Sequence, residues 1–153
     1  MALHYQDIGQ IEAVVRGFED CRTGRDDFTH AGHLTVAAWY LHNCTFDQAA
    51  ARMRVGLFRF LDHHGVGQEK YNETITLFWL KVVNAFALEQ SGARRGTTNE
   101  QKLSDAEFVS LANELIQTLG DARLIFDYYS ESLIRSPEAK SAWVEPDLKE
   151  LDF

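Results

Sequence analysis

Prolines are almost absent from this chain, and that scarcity limits how it can fold more than any other feature. The only two, Pro137 and Pro146, lie near the C-terminus, so the strongest helix breaker is missing from everything before them. In the first segment apolar residues recur at three- and four-residue steps, from Ile8 to Phe18. This is the period of an amphipathic helix, and it continues in the later segments. The sequence therefore predicts an all-α fold.

The turn and capping signals divide the chain into five to six helices within one domain, residues 1–153. Thr45 is placed to cap a helix that ends at Gly65, and Ser104 with Glu107 matches a capping box that opens another. We predict helices from Ile8 to before Thr23, Phe28–Asn43, Phe46–His64, Asn72–Gln90 (apolar nearly all round, hence central), Ser104–Gly120 and a shorter one after Asp121. Ser136 and Pro137 mark one more short helix start, outside this count. Ser91–Leu103 is predicted as the longest exposed connection, and Trp143–Phe153 as a strap across the bundle.

Charge and composition exclude several classes of protein. Fifteen basic against 23 acidic residues give a formal charge of −8, which repels nucleic acid phosphates and anionic membranes. No apolar run is long enough to span a bilayer, and the N-terminus carries no signal peptide pattern. The two cysteines, Cys21 and Cys44, have no metal or redox spacing and are expected to be small core residues. We expect a cytoplasmic protein with neither a nucleic acid nor a membrane partner.

A pair of histidines is the best candidate for chemistry. In FTHAGHL, His30 and His33 stand three residues apart at the start of the second helix, so both imidazoles share one face. That face continues through the buried stripe that contains Leu34 and Ala37. Two inward imidazoles need polar partners, because an unpaired buried polar group costs about 1–3 kcal/mol.

Glu73, which opens the fourth helix, is the best-placed partner on pattern. Two nitrogens and one carboxylate form the ligand set of non-haem iron and of some zinc sites, and they leave coordination positions open. We therefore predict a divalent metal ion (zinc, iron or manganese) on His30, His33 and Glu73, with His64 as a further ligand or an outer group. Three other side chains could hold or orient a bound molecule beside these ligands: Tyr71, Thr74 and Thr76.

A structural explanation of the same residues stands beside the metal hypothesis. His30 could sit beside the helix cap at Thr29 or Asp27, and His33 could donate to a backbone carbonyl. Glu73 would then complement the positive end of its own helix. The chain would in that case be an interaction or regulatory module without catalysis. Weaker candidates are an acid and base cluster at residues 62–64 and a cysteine nucleophile.

Three stretches, FTHAGHL, YNETITLFW and SPEAKSAWVEPDL, together resemble a family of small, uncharacterised bacterial proteins. The family pattern is FxHxxHL, then HG, then YHETxTxxW, then a tail similar to SxxARxxWxxPDL, and the resemblance runs from Phe28 to Leu148. It has no established activity attached. It implies that seven residues occupy motif positions: His30, His33, His64, Tyr71, Glu73, Thr74 and Thr76.

The chain departs from that pattern at Asn72, where the family has His. If that His were an obligatory ligand, the site here would be lost or altered; if Glu73 is the ligand, the change is tolerable. From the residues we expect a helical domain with an inward polar site at His30, His33 and Glu73. It would bind a divalent metal and a small molecule, or a protein partner, and homo-oligomers are compatible with it. The sequence assigns no reaction, so whether the protein is an enzyme stays open.

Overall fold

The computed structural model describes residues 4–94 and 103–153, with only the backbone of residues 91–94. No strand occurs in these ranges, which confirms the all-α prediction. The helices are α1 Ile8–Glu19, α2 His30–Asn43, α3 Phe46–His63, α4 Glu73–Arg94, α5 Asp105–Leu119, α6 Glu131–Ile134 and α7 Pro137–Ser141, with 3₁₀ helices at Gln68–Lys70 and Ala122–Asp127.

Side-chain caps set most of the helix starts where the sequence placed them. Thr45 and Ser104 both form full capping boxes, with Gln48 and Glu107 as the reciprocal partners. Gly65, which follows α3, has φ +68°, the left-handed conformation expected of a glycine that stops a helix. Each such cap contributes about 1 kcal/mol, so local chemistry alone fixes these boundaries.

The second helix begins at His30 and not at Phe28, and three larger differences from the predicted boundaries lie further along the chain. Helix α4 continues to Arg94, so Ser91–Arg94 is helical and not part of a connection, while residues 95–102 of that connection lie outside the described ranges. The segment after Asp121 is a 3₁₀ helix, capped by the Asp121 side chain as expected. Helix α6, of four residues, was not predicted because it is too short to show a helical period.

Helix α2 shares the centre of the bundle with α4, which the sequence had singled out alone. It packs against α1, α3, α4 and α5. Small residues, including Gly32, Ala37 and Ala38, let these neighbours approach, and Thr35 hides its hydroxyl by donating to the Ala31 carbonyl at 2.8 Å. A second apolar cluster around Phe78 joins α4 to the C-terminal segment. None of the helices in the described ranges has both the length and the apolar character needed to cross a membrane.

Hydrogen bonds hold the start of the predicted strap, Trp143–Phe153, against α4 and its neighbours. The Thr74 hydroxyl donates to the Ala142 carbonyl at 2.9 Å and accepts from the Val144 amide at 3.2 Å. The Tyr129 hydroxyl donates to the Val144 carbonyl at 2.7 Å. These bonds fix the start of the strap over the second apolar cluster, so the segment belongs to the body of the fold.

Candidate functional site: a cavity beneath two histidines

A cavity of about 540 Å³ lies between the first turns of α2 and α4, the C-terminal half of α3 and the 3₁₀ helix Ala122–Asp127. Apolar side chains form most of its wall: Phe28, Ala37, Met53, Leu57, Phe60, Leu61, Val66, Ile75, Trp79, Leu80, Ala122, Ile125 and Phe126. Its polar lining consists of Arg25, His30, His33, Lys70, Tyr71, Asn72 and Thr76. A volume of this size is typical of pockets for small organic molecules.

His33 lines the cavity, and a hydrogen bond within its own helix turn orients its ring. Thr29 caps α2, and its carbonyl lies 2.9 Å from His33 Nδ1 and 3.0 Å from the His33 amide nitrogen. Because a carbonyl oxygen only accepts, Nδ1 carries the hydrogen and Nε2 of the neutral ring keeps its lone pair. No described residue makes a hydrogen bond to Nε2. Burial lowers the pKa of His33 to about 4, so the ring is neutral at pH 7.

His30 is fixed in the same way by a distant carbonyl. Its Nε2 donates to the Leu119 carbonyl oxygen at 3.0 Å, which leaves Nδ1 as the unprotonated nitrogen. The ring also meets the Trp79 indole edge to face, with centroids 4.4 Å apart. Burial lowers the pKa of His30, against smaller opposing effects of the Leu119 carbonyl and of Asp121. Both cavity histidines are therefore neutral and each offers one hydrogen-bond acceptor.

Glu73 is committed to a partner that the sequence did not reveal. Its carboxylate accepts from Arg54 Nε at 3.0 Å and from Arg54 Nη2 at 2.6 Å, a two-pronged pair that ties α3 to α4. The Tyr71 hydroxyl adds a third bond at 2.6 Å. These bonds, with Arg54 the larger contributor, hold the pKa of Glu73 below its usual range. Glu73 is not part of the cavity wall.

The structure therefore brings only some of the predicted site residues together. Within residues 4–94 and 103–153, no three side chains among His, Cys, Asp and Glu are placed to hold one metal ion. His64 donates through Nε2 to the Thr23 carbonyl at 3.1 Å and does not line the cavity. Metal binding by His30, His33, Glu73 and His64 stays a prediction, and any ion would need ligands besides the side chains as they now stand.

Of the three residues predicted to orient a bound molecule, only two lie at the cavity. Tyr71 and Thr76 line the cavity, whereas Thr74 holds the strap. Burial, together with Glu73, raises the pKa of Tyr71 to about 12, so its hydroxyl stays protonated. The Thr76 hydroxyl donates to the Asn72 carbonyl at 3.0 Å.

Asn72, which departs from the family pattern, has two structural bonds. Its Oδ1 accepts from the Ile75 amide at 2.9 Å, which caps α4, and its Nδ2 donates to the Ile134 carbonyl at 2.7 Å. An Asn cap is a strong local signal for a helix start. The sequence contains this signal, although the prediction used position 72 only as the place of a missing His.

Two cavity residues were also missed as functional candidates, Arg25 and Lys70. Both are exposed, in connections without a periodic pattern, so the sequence offered no signal that they share a cavity. Comparison of the chain with known protein families, with curated protein sequences and with solved structures finds no match. The resemblance to the bacterial family noted above stays a prediction.

Proposed function

We infer that this protein binds a small molecule with a largely apolar body in the cavity beneath His30 and His33. The observation that carries the proposal is the combination of a cavity of about 540 Å³ with two neutral imidazoles on its wall. A backbone carbonyl fixes the hydrogen on one nitrogen of each ring and leaves the other nitrogen as an acceptor. Ligand sites of this kind combine apolar walls with a few oriented polar groups.

The chemistry of the wall describes the ligand further. The rings of Phe28 and Trp79 offer flat apolar surface, and the Leu57 and Ile75 side chains are only half-buried, so they have room for another molecule. The unpartnered Nε2 of His33 accepts a hydrogen bond from a hydroxyl or an amine. A ligand with an aromatic or branched hydrocarbon body and one donor group fits these features.

Binding of N-phenyl-1-naphthylamine tests this proposal, since the probe has two aromatic units and one N–H donor and fluoresces in apolar surroundings. We expect saturable binding to the wild-type protein. Leu57→Trp fills the cavity and should weaken binding by about tenfold or more, which is about 1.4 kcal/mol. Val55→Trp, on the same helix but 56% exposed and outside the cavity wall, should bind as the wild type does.

Circular dichroism of each variant shows whether its helices are intact. If Leu57→Trp does not fold, Leu57→Phe provides a smaller obstruction of the same cavity. The proposal is wrong if the wild type shows no saturable binding, or if folded Leu57 and Val55 variants bind the probe equally.

A divalent metal ion is a second candidate ligand, and one observation favours it. Histidine ligands usually donate their other ring nitrogen to a carbonyl or carboxylate, as both His30 and His33 do here. We expect added Zn²⁺ to raise the melting temperature with the logarithm of its concentration, and His33→Ala to abolish that rise. Equal destabilisation by His33→Ala with and without Zn²⁺, and no ion retained by the wild type, would contradict it.

A further inference from the structure

The charged groups on the cavity wall are all of one sign. Arg25 and Lys70 are its only fully charged side chains, and no described acidic side chain lines it, although the chain holds 23 acidic residues against 15 basic ones. Neither cation makes an ion pair or a side-chain hydrogen bond with a described residue. Asp121, the carboxylate next to the wall residue Ala122, is occupied by Arg123 at 3.2 Å.

The two cations come from loops that lie side by side. The bond from His64 Nε2 to the Thr23 carbonyl joins the end of α3 to the loop before α2. Arg25 belongs to that loop, and Lys70 ends the 3₁₀ helix that follows α3. Both side chains are exposed, so their charges stand where the cavity opens to solvent.

Helix dipoles add to the same potential. The first turns of α2 and α4, represented by His33 and Thr76, both face the cavity. The amino end of a helix carries about half a positive charge, and it favours anions. The neutral imidazoles of His30 and His33 add no charge to the wall, so Arg25 and Lys70 are the charged side chains that line the cavity, in a protein whose formal charge is −8.

We propose that the ligand of this cavity is an organic anion, a carboxylate on an aromatic or branched hydrocarbon body, with its charge between Arg25 and Lys70 and its body among the apolar wall residues. This inference rests on the proposed small-molecule site and names its ligand class. Its support is the charge of the cavity wall, together with the unpartnered Nε2 of His33, which can accept from a donor group of the ligand.

Three probes with one hydrocarbon body and different charges test it: 2-naphthoate, 2-naphthalenemethanol and 2-naphthylmethylammonium. Each is titrated against bound N-phenyl-1-naphthylamine, and its displacement of that neutral probe is measured. We expect 2-naphthoate to compete best and the ammonium compound worst. Added salt should weaken the naphthoate more than the alcohol, because the cations are exposed.

Matched variants locate the charge. Arg25→Gln and Lys70→Gln should each weaken 2-naphthoate roughly two- to fivefold, the range for an exposed ion pair, and leave the alcohol unchanged. Arg22→Gln and Lys140→Gln remove the same charge at exposed positions outside the cavity wall, so they should leave the affinity for 2-naphthoate within experimental error of the wild type.

The outcomes separate this inference from the function on which it rests. If the neutral probe does not bind, the small-molecule site itself is wrong. If the neutral probe binds but the three competitors displace it equally, or the control variants weaken 2-naphthoate as much as the cavity variants do, the site stands and the anionic ligand class is wrong.

Discussion

Acidification should destabilise this protein through His33, and the loss can be measured against a variant that lacks this imidazole. Burial lowers the pKa of His33 to about 4 in the folded chain, whereas an unfolded His titrates at about 6.5. Between these two values the unfolded state binds a proton that the folded state does not. Stability therefore rises with pH across this window, and the contribution of His33 is lost as the pH falls from about 6.5 to about 4.

The size of the effect follows from the pKa difference. At pH 5 the unfolded imidazole is about 1.5 pH units below its pKa, and the folded ring is still neutral. At about 1.36 kcal/mol for each unit, the folded protein should lose about 2 kcal/mol between pH 7 and pH 5 through His33 alone. The loss should approach about 3 kcal/mol near pH 4, where the folded ring also begins to bind a proton.

Urea denaturation, followed by circular dichroism at several pH values, measures this loss. Because the carboxylates titrate in part of the same range, the useful quantity is the difference in unfolding free energy between wild type and His33→Gln. Gln has no titrating group and retains an N–H donor for the Thr29 carbonyl. That difference should shrink by about 2 kcal/mol between pH 7 and pH 5, which moves the urea midpoint by roughly 1 M.

His63→Gln is the control, since it removes an exposed imidazole from the end of α3. The change that it produces is the reference with which the change in His33→Gln is compared. If His33→Gln parallels the wild type from pH 7 to pH 5, His33 is not held neutral in the folded chain. Burial of the ring would then not control its charge below pH 7, although the bond of Nδ1 to the Thr29 carbonyl would still leave Nε2 as the acceptor at neutral pH.

Two further predictions concern the packing around the site. Gly56→Ala should lower the free energy of unfolding by roughly 1–3 kcal/mol, because a Cβ there would lie 2.5 Å from Cε2 of Phe18. This loss outweighs the better helix propensity of Ala, and Gly9→Ala is the control. Glu73→Gln should lower the free energy of unfolding, measured in urea, by roughly 1–2 kcal/mol. The loss is smaller than for a fully buried pair because the Arg54 side chain is 39% exposed. Glu131→Gln, at a surface pair, should change it by no more than about 0.5 kcal/mol. Equal losses in either matched pair would refute the corresponding prediction.

How much of the site could be predicted depended on the sequence distance between its partners. The Thr29 carbonyl lies four residues before His33, so the sequence could predict that His33 donates to a backbone carbonyl, and the structure confirms it. The partner of His30 is the Leu119 carbonyl, 89 residues away, and only the packing of α5 beside α2 brings it there. Contacts within one helix can be predicted from the helical repeat, whereas contacts between distant segments depend on how the helices pack.

For Glu73 the sequence predicted the position in the helix but not the partner of the side chain. The sequence placed it correctly at the start of α4 because an apolar helical pattern follows, and the structure adds the Asn72 cap. Which way its carboxylate turns is decided by α3, where Arg54 presents a two-pronged donor at 2.6 and 3.0 Å. A planar guanidinium pairs strongly with a carboxylate. No pattern in the sequence distinguishes Arg54 from the other basic residues of α3, so the competition for Glu73 could not be foreseen.

The two explanations that the sequence left open for the histidines are compatible with each other. An imidazole has two nitrogens, and a hydrogen bond from one of them to a backbone carbonyl satisfies the fold while it fixes the other as an acceptor. The structural bonds of His30 and His33 therefore prepare the cavity instead of competing with it. A small-molecule site and a metal site differ here in the group that acts together with the two histidines, for which the metal hypothesis names Glu73. Glu73 is held by Arg54, and the charged side chains on the cavity wall are cations, which is the basis for proposing an organic anion as the ligand.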